Sequence, residues 1–188
     1  MKQWFIHSKL EEKLVTQIKE RIDSITSKIK DADIDGLSTR GELSKQYMLS
    51  DYQNEFSDIT DGIKSVIKEE MMEKNVWNNE HLRFKNCWTV YGEKGGYHLL
   101  HRHQNSTDGS GKQVKYSGYS AVLYLSTVKA TREYPGVFYF VMGSQTGVQA
   151  EQIVPELGSL FIFPNNTWHG SAPQNEGTRQ TLNFEFTI

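Results

Sequence analysis

The chain has 188 residues, 21 of them Lys or Arg and 23 Asp or Glu, giving a formal net charge of -2. That length fits one domain over 1–188, able to bury roughly 70% of its unfolded surface without covalent staples. With no long run of either charge there is no electrostatic footprint for nucleic acid, and the solitary Cys87 excludes an internal disulfide or a Cys-based metal motif.

The opening MKQWFIHSKLEEKL turns charged before any apolar stretch reaches signal-peptide length. No later segment approaches the ~20 apolar residues of a membrane span, so a soluble, unexported, cytoplasmic protein is expected. From residue 9 to 29, Leu10, Leu14, Ile18, Ile22, Ile25 and Ile29 step by three or four along one face, which predicts an amphipathic helix. Ser8 and Glu11 have the spacing of a capping box in front of it. Phe56, Ile59, Ile63, Val66, Ile67 and Met71 predict a second helix over 51–74, weakened at Gly62. Between them, 31–50 carries Gly36 and Gly41 among polar residues and reads as a long connection with at most a short helical turn.

Beyond residue 80 the pattern changes to short alternating segments. Strands are expected at 83–91, 97–103, 116–126, 136–142, 151–154, 159–163, 168–172 and 179–187. Glu93-Lys94-Gly95-Gly96 looks like a hairpin turn, and Tyr134-Pro135-Gly136 and Pro155-Glu156-Leu157-Gly158 like further turns. Eight short strands imply a sandwich or barrel, and two apolar helix stripes need a surface to cover. The expectation is an α+β double-stranded β-helix, or jelly roll, with 1–80 as mainly helical support packed on one sheet and 81–188 as the core.

His101 and His103 are two apart, so on a strand both imidazoles face one way while Arg102 faces the other. On a regular strand His98 shares the face of Leu100 and Arg102; a bulge would reverse this. A histidine pair of this kind is more often surface than ligand. Downstream, the apolar run 158–164 ends in Pro164, and Asn165-Asn166-Thr167 turns the chain into Trp168-His169. A third imidazole there can close a facial set of three ligands and leave adjacent metal positions open. Arg179 opens the last strand with the parity of Thr181, Asn183 and Glu185, against Leu182, Phe184 and Phe186. An inward arginine in so apolar a strand is costly unless it meets a carboxylate, which its forked donor suits.

Taken in order, the run 88–97, His101-Arg102-His103, 117–126, Gly136-Val137-Phe138, 158–164, His169 and Arg179 resembles the Fe(II)- and 2-oxoglutarate-dependent oxygenases. The likeness covers roughly 84–188 and is nearest the prolyl-hydroxylase-like branch found in marine bacteria and their phages. It implies that His101 and His169 bind iron, that Arg179 binds the distal carboxylate of 2-oxoglutarate, and that Tyr91, Tyr124 and Thr181 reach the co-substrate. It also implies hydroxylation of a small molecule or protein side chain, with formation of succinate and CO2 and with ascorbate as an optional extra. A phage-encoded member would work in host cytoplasm.

The wider superfamily has Asp or Glu where this chain has His103, and the resemblance to the nearer branch makes His103 the third metal ligand. A vacant third position or a carboxylate such as Asp108 from the Gly/Ser-rich loop 104–115 remains open, and that loop is long enough to be a lid. Two other readings stand beside this one. A three-histidine cupin-type dioxygenase without 2-oxoglutarate leaves an inward Arg179 unexplained. A metal-inactive jelly-roll binding or structural module would scatter the three histidines.

Overall fold

The computed structural model describes residues 5–29, 44–76, 81–103, 118–144 and 147–188. Of the expected connection 31–50, residues 31–43 lie outside these residues, as does the whole of the expected lid 104–115 with Asp108.

The first periodic stretch forms α1 (Glu12–Thr26), which buries Val15, Ile18, Ile22 and Ile25. It starts later than the periodicity suggests because the preceding residues join a sheet. β1 (Ile6–Lys9) pairs antiparallel with β8 (Ser159–Pro164), placing Ser8 opposite Leu160. The capping box is therefore absent: the Ser8 hydroxyl donates to Glu70, and Glu11 is the N-cap without a side-chain cap bond. Leu10 spans the break, its N–H donating to the Gly158 carbonyl at 3.0 Å. Gly158 sits at φ +83, where a Cβ would come within 2.6 Å of the Leu10 carbonyl oxygen, so this approach requires glycine.

The second stretch is not one helix. A 3-10 segment (Ser50–Phe56) leads into α2 (Ser57–Glu73), which buries Thr60, Ile63, Ile67 and Met71. No helix among the described residues is long and apolar enough to cross a membrane.

Among the described residues ten strands form two antiparallel sheets. The larger runs β1, β8, β5 (Tyr119–Tyr124), β10 (Arg179–Thr187), β3 (Arg83–Gly92) and β2 (Ser44–Met48). The smaller runs β4 (His98–His101), β9 (Trp168–Ser171), β6 (Phe138–Ser144) and β7 (Gly147–Ile153). β1 and β2, which the sequence does not announce, are the two edges of the larger sheet. An edge strand pairs on one side only, and Ser-Lys-Gln-Tyr-Met in β2 needs little apolar alternation to be held by β3. Glu93–Gly96 is a turn, closed by the Gly96 N–H on the Glu93 carbonyl at 2.8 Å, but not a hairpin, since β3 and β4 belong to different sheets.

Strand alternation sends two sets of side chains to opposite faces of the larger sheet. Leu123, Leu160, Ile162, Leu182, Phe184 and Phe186 join the apolar stripes of α1 and α2 in one buried cluster. Each such side chain contributes about 1.5–3 kcal/mol by leaving water. The other face of that sheet looks toward the smaller one. There Phe161 and Phe163 of β8 meet Phe138 and Phe140 of β6, with the Phe138 and Phe161 rings 4.9 Å apart. The result is the expected jelly roll, braced by helices on the outer face of one sheet.

Candidate metal centre

Beside that aromatic cluster the inner faces enclose a cavity of about 380 Å³. β10 presents Arg179, Thr181, Asn183 and Glu185 to it, as the parity of the last strand requires. β5 adds Ser120, Val122 and Tyr124, β3 adds Asn86, Trp88 and Val90, and the smaller sheet adds His98, His101 and His169.

Three imidazoles converge at one end of this cavity. His101 on β4 is the register partner of His169 on β9. His103 lies two residues beyond β4, held by its N–H on the Asn165 carbonyl at 3.0 Å. Ring centroids are 4.3 Å apart for His101 and His169, 5.4 Å for His101 and His103, and 5.2 Å for His103 and His169. One ligand nitrogen from each lies within 4.8 Å of the other two, and the three could hold a metal ion. Two nitrogens on one ion, each about 2.1 Å from it, are at most about 4.2 Å apart, so closing this set needs only a small side-chain adjustment.

The outer nitrogens decide which atoms face the centre. Nδ1 of His101 meets the Leu99 carbonyl at 2.8 Å and Nδ1 of His169 meets that of Thr167 at 2.9 Å. A carbonyl only accepts, so each Nδ1 carries hydrogen and the lone pair of the neutral ring is on Nε2. Nδ1 of His103 is engaged by a Glu185 carboxylate oxygen, which leaves Nε2 to the centre there too. His169 is buried, and burial, reinforced by the neighbouring His101 and His103, holds its pKa well below the ordinary value. That favours the neutral ring, the form in which an imidazole binds a metal. The donor set fits a divalent transition metal with several positions left open.

Glu185 was legible only as one of the inward residues of the last strand. It lies across from Asn86 in β3, whose amide donates to its second carboxylate oxygen. Burial pushes the Glu185 carboxyl upward, but the hydrogen bond and charge of His103, with Asn86, outweigh this and hold it below its usual range.

The expected position of His98 is overturned. Along β4 the register moves three residues, from His98 to His101, while β9 moves two, from Ser171 to His169. The extra residue is a bulge that resets the parity, so His98 also lines the cavity while Leu99 and Leu100 are exposed. Arg102 points outward as expected, its guanidinium 5.0 Å above the Trp168 ring.

Arg179 is 3% exposed, and its guanidinium donates to the carbonyls of Ala172 at 3.0 Å and Gly96 at 3.3 Å. Both of these acceptors are neutral carbonyls, and Arg179 lines the cavity. Thr181 and Tyr124 are register partners on adjacent strands and both line the cavity. Burial raises the Tyr124 phenol to about 12, with the charge of Arg179 acting the other way.

Tyr91 is not in the cavity. It lies on the opposite face of β3 from Trp88 and Val90, toward α1, where its hydroxyl donates to Asp23 at 2.8 Å, accepts from Gln180 at 2.9 Å and lies 3.1 Å from the Thr26 hydroxyl. Both faces of β3 are covered, so no alternation of polar and apolar residues marks which face holds the site.

No family model matches the chain, and no curated protein matches it. Solved structures share this fold over nearly the whole length of the chain. The chain is similar to a viral collagen prolyl hydroxylase from Paramecium bursaria Chlorella virus-1 in a 2OG complex, with TM-score 0.65, 14% identity, and 99% of this chain and 97% of that chain covered. It is similar to HygX from Streptomyces hygroscopicus with nickel and 2-oxoglutarate bound, with TM-score 0.65, 14% identity, and 99% and 83% covered. It also matches a Trichoplax adhaerens prolyl hydroxylase in complex with a hypoxia inducible factor peptide fragment, with TM-score 0.65, 11% identity, and 97% and 83% covered. These identities establish likeness of fold.

Proposed function

We propose that this chain is an Fe(II)- and 2-oxoglutarate-dependent dioxygenase that hydroxylates a small molecule or a protein side chain. The observation that carries the reading is the convergence of His101, His103 and His169 in the same cavity as the buried Arg179. A metal-inactive module would have no reason to gather the three histidines, and a three-histidine enzyme without 2-oxoglutarate would have no use for a buried guanidinium. The likeness in fold to proteins solved with 2-oxoglutarate and with nickel or iron supports the same assignment.

In this reading His101, His103 and His169 hold the iron through Nε2, each ring kept in place by its anchored Nδ1. Arg179 binds the distal carboxylate of 2-oxoglutarate by a charge-assisted fork, and Thr181 and Tyr124 offer hydroxyls beside it. Phe138 and Trp88, which line the cavity, keep water from the reacting centre. Iron and 2-oxoglutarate bound together supply the oxidation of a C–H bond by dioxygen, with succinate and CO2 as co-products. Ascorbate is an optional reductant.

The test is anaerobic addition of Fe(II) and 2-oxoglutarate while recording the visible spectrum. A metal-to-ligand charge-transfer band that requires both additions is expected. Folded protein that gives no band overturns the assignment.

A further inference from the structure

We propose that Glu185 is a positioning residue of the metal centre: its carboxylate takes the Nδ1–H of His103, aims that ring's Nε2 at the ion, and sets beside the ligand the negative charge that a carboxylate ligand would have placed on the metal. The inference rests on the metal reading above.

The three imidazoles are not anchored alike. His101 and His169 each meet a backbone carbonyl two residues earlier in the chain, at 2.8 and 2.9 Å, a neutral and local arrangement. His103 is instead anchored at Nδ1 by a carboxylate, and that carboxylate comes from a strand 82 residues away. This is also the one ligand position at which the wider superfamily that the sequence resembles has Asp or Glu. Neutral imidazole there leaves the centre one negative charge short. A carboxylate on the far side of the ring makes it up, because a ring that donates strongly through Nδ1 is a better donor of electrons through Nε2.

The surrounding strand is built to present this carboxylate. Glu185 faces Asn86 across β3 and accepts its amide, so the oxygen not used by His103 is also satisfied. The β10–β3 register breaks between Glu185 and Phe186, the kind of irregularity that re-aims a side chain. The Glu185 side chain is 14% exposed, and its neighbours Phe184 and Phe186 are fully buried. A carboxylate taken this far from water is costly to hold unless its oxygens are satisfied, and here His103 and Asn86 satisfy them.

The experiment measures anaerobic binding of Co(II) alone, by calorimetry and by its visible d–d bands, in wild type, Glu185→Gln and Glu185→Ala. Removing such an outer partner costs roughly 10–100-fold in metal affinity. Glu185→Ala should fall in that range. Glu185→Gln, which keeps an acceptor but loses the charge, should lie between it and wild type with altered d–d bands. Wild-type affinity and spectrum in folded Glu185→Ala overturn the proposal while leaving the metal reading intact; failure of wild type to bind Co(II) overturns both. Nitrogen NMR of the Zn(II)-loaded wild-type protein decides independently of how the variants fold. His103 should be ligated through Nε2 with a downfield, hydrogen-bonded Nδ1 proton, and ligation through Nδ1 or no ligation of His103 overturns the proposal.

Discussion

His101 and His169 stand opposite one another in the antiparallel register of β4 and β9, their rings 4.3 Å apart. Residues 68 positions apart in the chain are thus set at a spacing fixed by strand pairing and not by either loop. The pair belongs to a rigid element, which is where a metal site keeps its geometry best. His103, tied by its N–H on Asn165 and at Nδ1 by Glu185 and Ser120, completes the set from outside the strand.

Replacing Arg179 by Leu should weaken 2-oxoglutarate binding by at least 10-fold and leave Co(II) affinity near wild type. A hydrogen bond to a charged group is worth about 1.5–3 kcal/mol, and each 1.4 kcal/mol is tenfold in affinity. The carbonyls of Ala172 and Gly96 lose their donor at the same time, so a moderate fall in Tm accompanies the change. Equal loss of co-substrate and metal binding would count against the assigned role.

The two tyrosines should separate. Tyr91→Phe removes a hydroxyl shared by Asp23, Gln180 and Thr26 on the helix side of the sheet, at a cost of about 1–2 kcal/mol in stability, with 2-oxoglutarate affinity unchanged. Tyr124→Phe acts inside the cavity and should weaken 2-oxoglutarate several-fold. Denaturant melts and co-substrate titrations on the same two proteins check both halves, and the reverse pattern would refute the placement.

Gly170→Ala tests how closely β9 is packed behind the metal site. A Cβ there would lie 2.5 Å from the Tyr139 hydroxyl oxygen and 2.8 Å from the His98 carbonyl oxygen. The hydroxyl can swing aside but the backbone cannot, so a cost of about 1–3 kcal/mol is expected. Because Gly170 adjoins His169, Co(II) affinity should fall with it. An unchanged Tm together with unchanged Co(II) binding would show that the strand pair yields easily.

Asp23 predicts part of the acid sensitivity. Burial raises its carboxyl, but Lys19, Tyr91 and Gln180 donate to it and hold it below its ordinary value. With the folded pKa lower than the unfolded one, its stabilising contribution is complete above about pH 4 and is lost as pH falls through the folded value. Asp23→Asn should therefore be less stable than wild type at neutral pH, with the gap closing toward about pH 3. Urea melts at the two pH values measure this, and a gap that widens on acidification would contradict it.

Much of the fold was legible because it rests on local periodicity. The alternation Arg179, Thr181, Asn183, Glu185 against Leu182, Phe184, Phe186 reads directly as a strand with one polar face, and the structure keeps it. The stripes of α1 and α2 likewise announced helices that cover a sheet. Strands β1 and β2 were not legible, since edges held by one neighbour need no apolar alternation. The capping box at Ser8 failed because pairing of β1 with β8 had already committed that residue.

The sequence by itself determined the residue types of the site and the face of β10 on which they stand, because side-chain parity depends on nothing beyond the strand. Only the tertiary structure decided that His98 joins the cavity, that Tyr91 leaves it for Asp23, and that Glu185 meets His103. A bulge, the choice between two covered sheet faces, and a contact across 82 residues are each settled by packing between distant strands. No local pattern encodes them.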